Sequence, residues 1–351
     1  MPFFKIFLAV LLLILSSCRT VEEETPVLSR IAFGSCLKIE HSTPQLWQSI
    51  RSTRPNLFIF AGDNVYADSR DVETLHSYYR KLENDSGFRR LRSLVPMLAV
   101  YDDHDYGISD GGKENPIKDE AALACLDFFK VPFNDLRRQH KGVYGSYSYG
   151  SQGKKLQIIL LDTRYFRDAL IKTNEAGKRY APNNDPAATM LGEEQWKWLE
   201  KTLKEPADVR LIVSSIQVVP DKRGMESWGN FPLERQKLFK MIESAGASGV
   251  IFLSGDAHFS EASVYESGKY PFYEITSSAM AHHHNTKDGK PTKYSNFPNE
   301  FRLKGSDYTA GNFGLVKVDW KGRDTVVRVE LRKTDGSVYF SRDIPLSELQ
   351  P

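Results

Sequence analysis

A short apolar segment, Leu57 to Ala61, runs directly into Gly62 and Asp63, and Tyr66 follows soon after. An uninterrupted apolar run of this length is typical of a strand that is buried on both faces. The glycine lets the backbone turn at the end of the strand, so that the carboxylate and then the phenol project from the sheet edge. This edge is where α/β proteins place their chemistry, although a lone Gly-Asp pair is more often only a turn.

The same pattern recurs along the chain, which favours a functional site over a simple turn. Each further apolar run is followed by side chains that are able to bind a metal ion. Because parallel strands end at the same edge of a sheet, we expect these side chains to converge. The runs and the residues after them are Arg30 to Ser35 with Cys36, Pro96 to Tyr101 with Asp103 and His104, Leu211 to Ser214 with Gln217, and Val250 to Leu253 with Asp256 and His258.

The N-terminus has the features of an export signal. Lys5 precedes an apolar run, Ile6 to Leu15, which is too short to span a bilayer and has the length of a signal-peptide core. The following residues up to Cys18 resemble the lipobox of bacterial lipoproteins; a plain signal peptide or short anchor with an incidental cysteine is the alternative. We predict a signal peptide over residues 1–17, and a lipidated Cys18 with a tether over residues 18–29. The mature protein is then exported and lipid-anchored to the bacterial cell envelope, on the periplasmic or cell-surface side.

The rest of the chain, residues 30–346, is predicted to form one catalytic domain. Apolar runs alternate with amphipathic helical patterns through most of it. Near the C-terminus, Thr325 to Arg332 and Val338 to Arg342 alternate in polarity and are joined at Asp335-Gly336, as in a β-hairpin. This combination favours an α/β fold built as a sandwich of mixed sheets with flanking helices over a single doubly wound sheet.

Charge and cysteine content exclude some classes of protein. The formal net charge is +2 with acids and bases intermixed, so nothing indicates sequence-specific nucleic-acid binding. Apart from Cys18, the cysteines are Cys36 and Cys125. Cys125 lies in an apolar helical stretch and is interpreted as a small buried hydrophobe, so we expect no structural disulfide.

The candidate ligands form two sets that differ in chemistry. Thiolate, carboxylate, phenolate and imidazole donors suit trivalent iron. Oxygen donors suit calcium, magnesium or manganese. The first set is Cys36, Asp63, Tyr66 and His258, and the second is Asp63, Asp103, Asp256 and the side-chain carbonyl of Gln217.

Asp63 belongs to both sets and would bridge two metal ions. Such a pair polarises a phosphoryl group and activates a water for in-line attack. The leaving group then needs a proton, which His104 could supply, because the flanking carboxylates favour its charged form. A hydrogen-bonded structural histidine is the alternative interpretation.

Taken in order, these motifs resemble those of a known superfamily of hydrolases. They resemble the metallophosphatase (calcineurin-like phosphoesterase) superfamily, and specifically its alkaline phosphatase D (PhoD-like) family. The resemblance extends to Asp162-Thr163-Arg164 and covers nearly the whole chain after the tether. The motifs are Gly34-Ser35-Cys36, Gly62-Asp63-Asn64-Val65-Tyr66, Asp102-Asp103-His104-Asp105 and Gly255-Asp256-Ala257-His258.

The resemblance implies a four-layer α/β/β/α sandwich with a two-metal site at one end. It implies hydrolysis of phosphodiesters and phosphomonoesters with Fe³⁺ and Ca²⁺, while Mn²⁺, Mg²⁺ or Zn²⁺ remain alternatives. The expected partners are a phosphate-ester substrate and the membrane, and we expect a monomer. A purple-acid-type phosphomonoesterase or nucleotidase is a second hypothesis, which Cys36 and Gln217 argue against. A non-catalytic surface binding lipoprotein on this scaffold is a third.

Three features are less determined by the sequence. Arg164 could clamp a substrate phosphate or pair with Asp162 at the sheet end, and we assign it to substrate binding. The loop from Arg167 to Thr189 either covers the pocket or is a solvated insertion. The run His282-His283-His284 follows a strand, Phe272 to Thr276, that we expect to end near the site. It could supply an extra metal or phosphate contact, but solvated loop histidines are the favoured interpretation, and His283 is not assigned as a ligand.

Overall fold

A computed structural model describes residues 25–151, 153–266, 268–285 and 298–351. The predicted signal peptide, Cys18 and the first part of the tether lie outside these residues. Among the helices that are described, none is long and apolar enough to cross a membrane.

The first of two six-stranded sheets combines parallel and antiparallel pairing. The first three strands of the chain pair in parallel. The last three strands form an antiparallel meander, which pairs with the first strand and extends the sheet on that side. The hairpin predicted at Asp335-Gly336 is confirmed as the last turn of this meander. In spatial order the strands are β14 (Val338–Pro345), β13 (Val326–Lys333), β12 (Asn312–Asp319), β1 (Arg30–Gly34), β2 (Leu57–Ala61) and β3 (Met97–Val100).

The second sheet has a parallel centre with an antiparallel strand at each edge. A short two-stranded ribbon, β6 (Ile171–Lys172) with β7 (Tyr180–Ala181), lies in the loop from Arg167 to Thr189. In spatial order the strands of the second sheet are β10 (Ser260–Tyr265), β11 (Phe272–Ser277), β9 (Val250–Ser254), β8 (Val209–Ser214), β5 (Leu156–Leu160) and β4 (Gly145–Tyr149).

Polar side chains cap the N-termini of several helices by accepting hydrogen bonds from free backbone amides. One of these caps is Asp85, whose carboxylate accepts a hydrogen bond of 2.8 Å from the amide of Phe88 and so starts a new helix at Ser86. The helices are α1 (Pro44–Ser52), α2 (Val72–Asn84), α3 (Ser86–Arg92), α4 (Asp103–Tyr106), α5 (Lys118–Phe128), α6 (Gly192–Leu203) and α7 (Pro232–Ser244).

Helices cover both outer faces, so the fold is the four-layer α/β/β/α sandwich that the sequence predicts. On the first sheet, Phe60 of β2 packs against Phe88 of α3. On the second, Phe252 of β9 packs against Phe239 of α7. The buried strands contribute to one continuous apolar core, whose burial is the main source of stability.

The folded unit extends beyond the predicted bounds of 30 and 346 at both ends. Leu28 is buried, and its carbonyl accepts a hydrogen bond of 2.8 Å from the indole of Trp320. Leu349 is also buried, and its carbonyl accepts from the amide of Gly249. These contacts join segments that are far apart in sequence, which local patterns do not reveal.

Candidate metal centre

Loops at the carboxyl ends of strands from both sheets carry the predicted ligands. Cys36, Asp63, Asp256 and His258 have positive φ angles of 56°, 51°, 61° and 59°. A left-handed conformation costs a non-glycine residue about 1–2 kcal/mol, and such strain clusters at functional sites. The backbone is therefore bent at the positions where donor side chains must turn toward a common point.

The glycines that precede two of these ligands are required by close packing. A Cβ atom on Gly62 would lie 2.6 Å from Cβ of Asp102, and the φ angle of 100° at this glycine is itself unfavourable for other residues. A Cβ atom on Gly255 would lie 2.6 Å from the carbonyl oxygen of Ala61. These glycines let the two sheet ends approach each other at the site.

Four predicted ligands meet in a buried cluster, the first donor set, which consists of Cys36, Asp63, Tyr66 and His258. Oδ2 of Asp63 lies 3.3 Å from Sγ of Cys36 and 3.2 Å from the hydroxyl of Tyr66. That hydroxyl also lies 3.2 Å from Nε2 of His258. The structure thus brings together the donors that the sequence predicts for trivalent iron.

Burial makes the charged forms of these donors unfavourable on their own. It raises the pKa of the Cys36 thiol well above its usual value, and the Asp63 carboxylate adds to the effect. Burial also raises the pKa of Asp63, and burial together with the Asp63 charge raises that of Tyr66. A bound cation compensates such charges and favours the deprotonated ligands. The first donor set therefore fits a metal ion.

The second predicted set is assembled only in part. Asp63 and Asp103 approach each other, with ligand atoms within 4.8 Å. Arg223 stands between the other two members, because its Nη1 lies 3.3 Å from Oε1 of Gln217 and 3.1 Å from Oδ2 of Asp256. Gln217 and Asp256 are thus engaged by a guanidinium, and in this arrangement the second set does not converge on one metal ion. No local pattern identified Arg223, which lies in the loop after β8.

His104 lies beside the first donor set and is held by a residue that the sequence analysis missed. Its Nδ1 is 2.5 Å from Oδ1 of Asp68, and its ring packs 4.1 Å from that of Tyr66. Burial lowers the pKa of His104, but the carboxylates of Asp63, Asp103 and Asp68 outweigh it and raise the pKa to about 11. A protonated imidazole held by a carboxylate is suited to donate a proton. Asp68 follows Asp63 on the same loop, and this proximity to a predicted ligand could have identified Asp68 from the sequence.

The structure places Arg164 in a buried network of ion pairs, which argues against the predicted role in substrate binding. Its side chain is fully buried, with Nε 2.7 Å from Oδ1 of Asp102. Nη1 and Nη2 lie 2.7 and 2.6 Å from the two carboxylate oxygens of Glu226. The carboxylate of Asp162 accepts backbone hydrogen bonds instead, including one of 2.9 Å from Arg164. The guanidinium joins the strand ends, and its partner Glu226 lies too far along the chain for sequence reasoning to find.

We expect Arg164→Met to lower the free energy of unfolding by about 3 kcal/mol or more, because it leaves the buried carboxylate of Asp102 without its cation and that of Glu226 with Arg167 alone. Denaturation by urea in the presence of a chelator measures this. Arg80→Met is the matched control, since Arg80 forms an exposed pair with Glu73 and its loss should cost less than about 1 kcal/mol. Unchanged stability combined with a raised KM would restore the substrate-binding prediction.

The histidine run after β11 is not a solvated loop throughout, which corrects that expectation. Nε2 of His284 lies 2.8 Å from Nδ1 of His258. The ring of His282 packs 4.5 Å from that of His258 and 4.9 Å from that of Tyr66. His283 alone of the three is exposed. The strand was expected to end near the site, but the favoured interpretation of its continuation as solvated did not allow for the segment after β11 hydrogen-bonding to Ser35 and Cys36 beside the donors.

A cavity of about 440 Å³ reaches His258 of the first donor set, and Asp103 and Asp256 of the second set also line it. His104 and His258 contribute to its wall, together with His282 and His284. Arg179 also lines the cavity, and it comes from the loop that carries the ribbon of β6 and β7. This loop therefore contributes one side chain to the cavity wall, while most of residues 171–179 are exposed to solvent.

Comparison with known proteins places the chain in a family. Residues 31–329 match the PhoD-like phosphatase family. Alkaline phosphatase D of Bacillus subtilis (strain 168) is 22% identical over 268 residues, which are 66% of this chain and 46% of that protein. The aligned region thus spans less than half the length of this curated relative.

Solved structures share the fold at low sequence identity. PhoD superposes with a TM-score of 0.66 at 16% identity, over 92% of this chain and 72% of that one. GAP50, described as the anchor in the inner membrane complex of Plasmodium, superposes with a TM-score of 0.53 at 11% identity, over 91% of this chain and 89% of its own. Since the family match extends from the first strand into the C-terminal meander, this chain belongs to the PhoD-like phosphatase family.

Proposed function

We propose that this protein hydrolyses phosphate esters, either diesters or monoesters, at a metal centre held by the first donor set. The observation that carries the proposal is the convergence of a thiol, a carboxylate, a phenol and an imidazole. The imidazole of this cluster, His258, lines a cavity together with His104. Membership of the PhoD-like phosphatase family supports the same reaction class.

The side chains around the cavity have separate tasks in this reaction. A bound metal ion supplies Lewis-acid activation of the phosphoryl group and of a water. Cys36, Asp63, Tyr66 and His258 hold that ion. His104 faces the cavity and donates a proton to the leaving oxygen, while Asp68 holds the imidazole through Nδ1 and so leaves Nε2 for the substrate.

We propose Fe³⁺ at the first donor set, because anionic sulfur and oxygen donors offset its high charge. For the second set we propose Ca²⁺, with Mn²⁺, Mg²⁺ or Zn²⁺ as alternatives. Calcium binding by Asp256 and Gln217 requires Arg223 to leave its present position between them.

Arg223→Met is therefore expected to tighten calcium binding. Displacing a charge-assisted hydrogen bond costs about 1.5–3 kcal/mol, so its removal should raise the affinity by about 10- to 100-fold. Isothermal titration of iron-loaded protein with calcium measures the change. Lys222→Met is the matched control, because Lys222 is exposed and pairs with Glu300. Weaker calcium binding in Arg223→Met would show instead that the guanidinium helps to assemble the second set.

Export and lipid anchoring through Cys18 remain part of the proposal, supported by the N-terminal sequence. The tether joins β1 at Arg30, whereas the donors follow the other end of this strand at Gly34.

Assays of metal-loaded protein with two chromogenic substrates test the function. A soluble form that begins at Thr25 keeps Leu28 in the core. We expect hydrolysis of bis-p-nitrophenyl phosphate, loss of this activity after chelation, and its return when iron and calcium are restored. Cleavage of p-nitrophenyl phosphate alone would favour the purple-acid or nucleotidase alternative. Folded, metal-loaded protein that cleaves neither substrate would favour the binding lipoprotein.

A further inference from the structure

The segment Ser278 to His284, which we call the strap, continues from β11 and crosses the first donor set. At its start, Oγ of Ser278 lies 3.2 Å from Sγ of Cys36 and accepts a hydrogen bond of 2.9 Å from the backbone amide of His258. The amide of Ala281 then donates to the carbonyl of Cys36 at 3.1 Å. The strap is thus joined to two of the four donors before it reaches its histidines.

The two ring nitrogens of His258 face different neighbours. Nε2 lies 3.2 Å from the hydroxyl of Tyr66 and 3.9 Å from Oδ2 of Asp63, so it points into the first donor set. Nδ1 points away from the set and lies 2.8 Å from Nε2 of His284. A neutral imidazole has one nitrogen lone pair for a metal and carries its proton on the other nitrogen. Ligation through Nε2 therefore requires a proton on Nδ1, directed at His284.

We propose that His284 is a positioning residue for the metal ligand His258. Its Nε2 accepts the Nδ1–H of His258, which fixes both the tautomer and the orientation of the ring. The ring of His282 packs nearly perpendicular to that of His258, at 72°, and restricts its rotation further. Ligating histidines are commonly held through the second nitrogen in this way. The inference rests on the proposed function only in assigning His258 as a metal ligand.

Two substitutions separate hydrogen bonding from packing. Glutamine places an oxygen near the position of Nε2 and can accept the same hydrogen bond, whereas phenylalanine keeps the ring and removes the acceptor. We expect His284→Phe to weaken iron binding by about 10- to 100-fold. His284→Gln should stay within a few-fold of the wild type. His283→Phe is the matched control, since His283 is adjacent and exposed.

Iron affinity is measured on full-length protein in detergent micelles, by competition with a chelator of known affinity. The visible absorption that thiolate and phenolate ligands give to iron(III) reports the geometry of the centre. We expect this absorption to shift in His284→Phe and not in His283→Phe. The proposal is overturned if His284→Phe binds iron as tightly as His283→Phe, if His284→Gln loses as much affinity as His284→Phe, or if the wild type binds no iron.

Iron affinity and visible absorption can both be measured without turnover. The proposed function and the role of His284 can therefore be refuted independently. Wild-type protein that binds iron with the expected response to the variants but hydrolyses no phosphate ester refutes the proposed function and leaves the role of His284 standing. If the wild type hydrolyses phosphate esters but substitution of His284 leaves its iron affinity unchanged, the role of His284 is refuted and the proposed function stands.

Discussion

Asp63→Asn is expected to lose iron binding and nearly all hydrolysis while keeping its fold. Asp63 contacts both Cys36 and Tyr66, so its carboxylate links the donors of the first set. An amide has nearly the same shape but lacks the negative charge that a trivalent ion needs. A metal ion supplies several kcal/mol of transition-state stabilisation, and each 1.4 kcal/mol corresponds to about tenfold in rate. We therefore expect kcat/KM to fall by about three orders of magnitude.

Metal analysis and kinetics on the same samples check this prediction. Asp168→Asn is the matched control, because Asp168 lies outside the first donor set and pairs with Lys113. Removing the buried charge of Asp63 relieves a desolvation cost, so thermal stability in the presence of a chelator should not fall. An Asp63→Asn protein that retains iron and activity would show that the metal centre does not depend on this carboxylate.

His104→Asn is expected to show a loss that depends on the leaving group. For esters of alkyl alcohols, whose leaving oxygen is strongly basic, loss of the general acid should lower kcat by about 10²- to 10⁴-fold. For p-nitrophenyl esters, whose leaving group needs little protonation, the loss should be much smaller. Iron content should be unchanged, because the side chain of His104 is not in the first donor set.

A series of phosphate esters with graded leaving groups measures this dependence. His140→Asn is the control histidine, since its ring stacks on Tyr144 away from the cavity. An equal loss for all leaving groups would indicate that His104 binds the phosphate instead of protonating the product. The binding-lipoprotein hypothesis predicts no activity to lose in either variant.

The fold was predictable because its strands carry strong local signals. Leu57 to Ala61 is uninterrupted in its apolar character, and the structure forms β2 over the same residues. The convergence of Cys36, Asp63, Tyr66 and His258 also followed from local information, since each side chain comes directly after a strand. Parallel strand ends then bring these side chains to one edge.

The parts that sequence reasoning missed depend on contacts between distant segments. Arg164 and its partner Glu226 are separated by 62 residues, and nothing near either residue indicates the other. Arg223 reaches Asp256 from another loop. The strap places His284 against His258 only because β11 lies next to β9 in the second sheet. Sheet order of this kind is a tertiary property, which local periodicity does not encode.

The most direct test of the account is a titration of metal-depleted protein with iron(III) at saturating calcium. Visible absorption and diester hydrolysis are recorded on the same samples. We predict that absorption and hydrolysis rise together and stop at one equivalent of iron, and that Tyr66→Phe alters the absorption. Full hydrolysis before any iron is added, or iron bound at this centre without hydrolysis, would contradict the account.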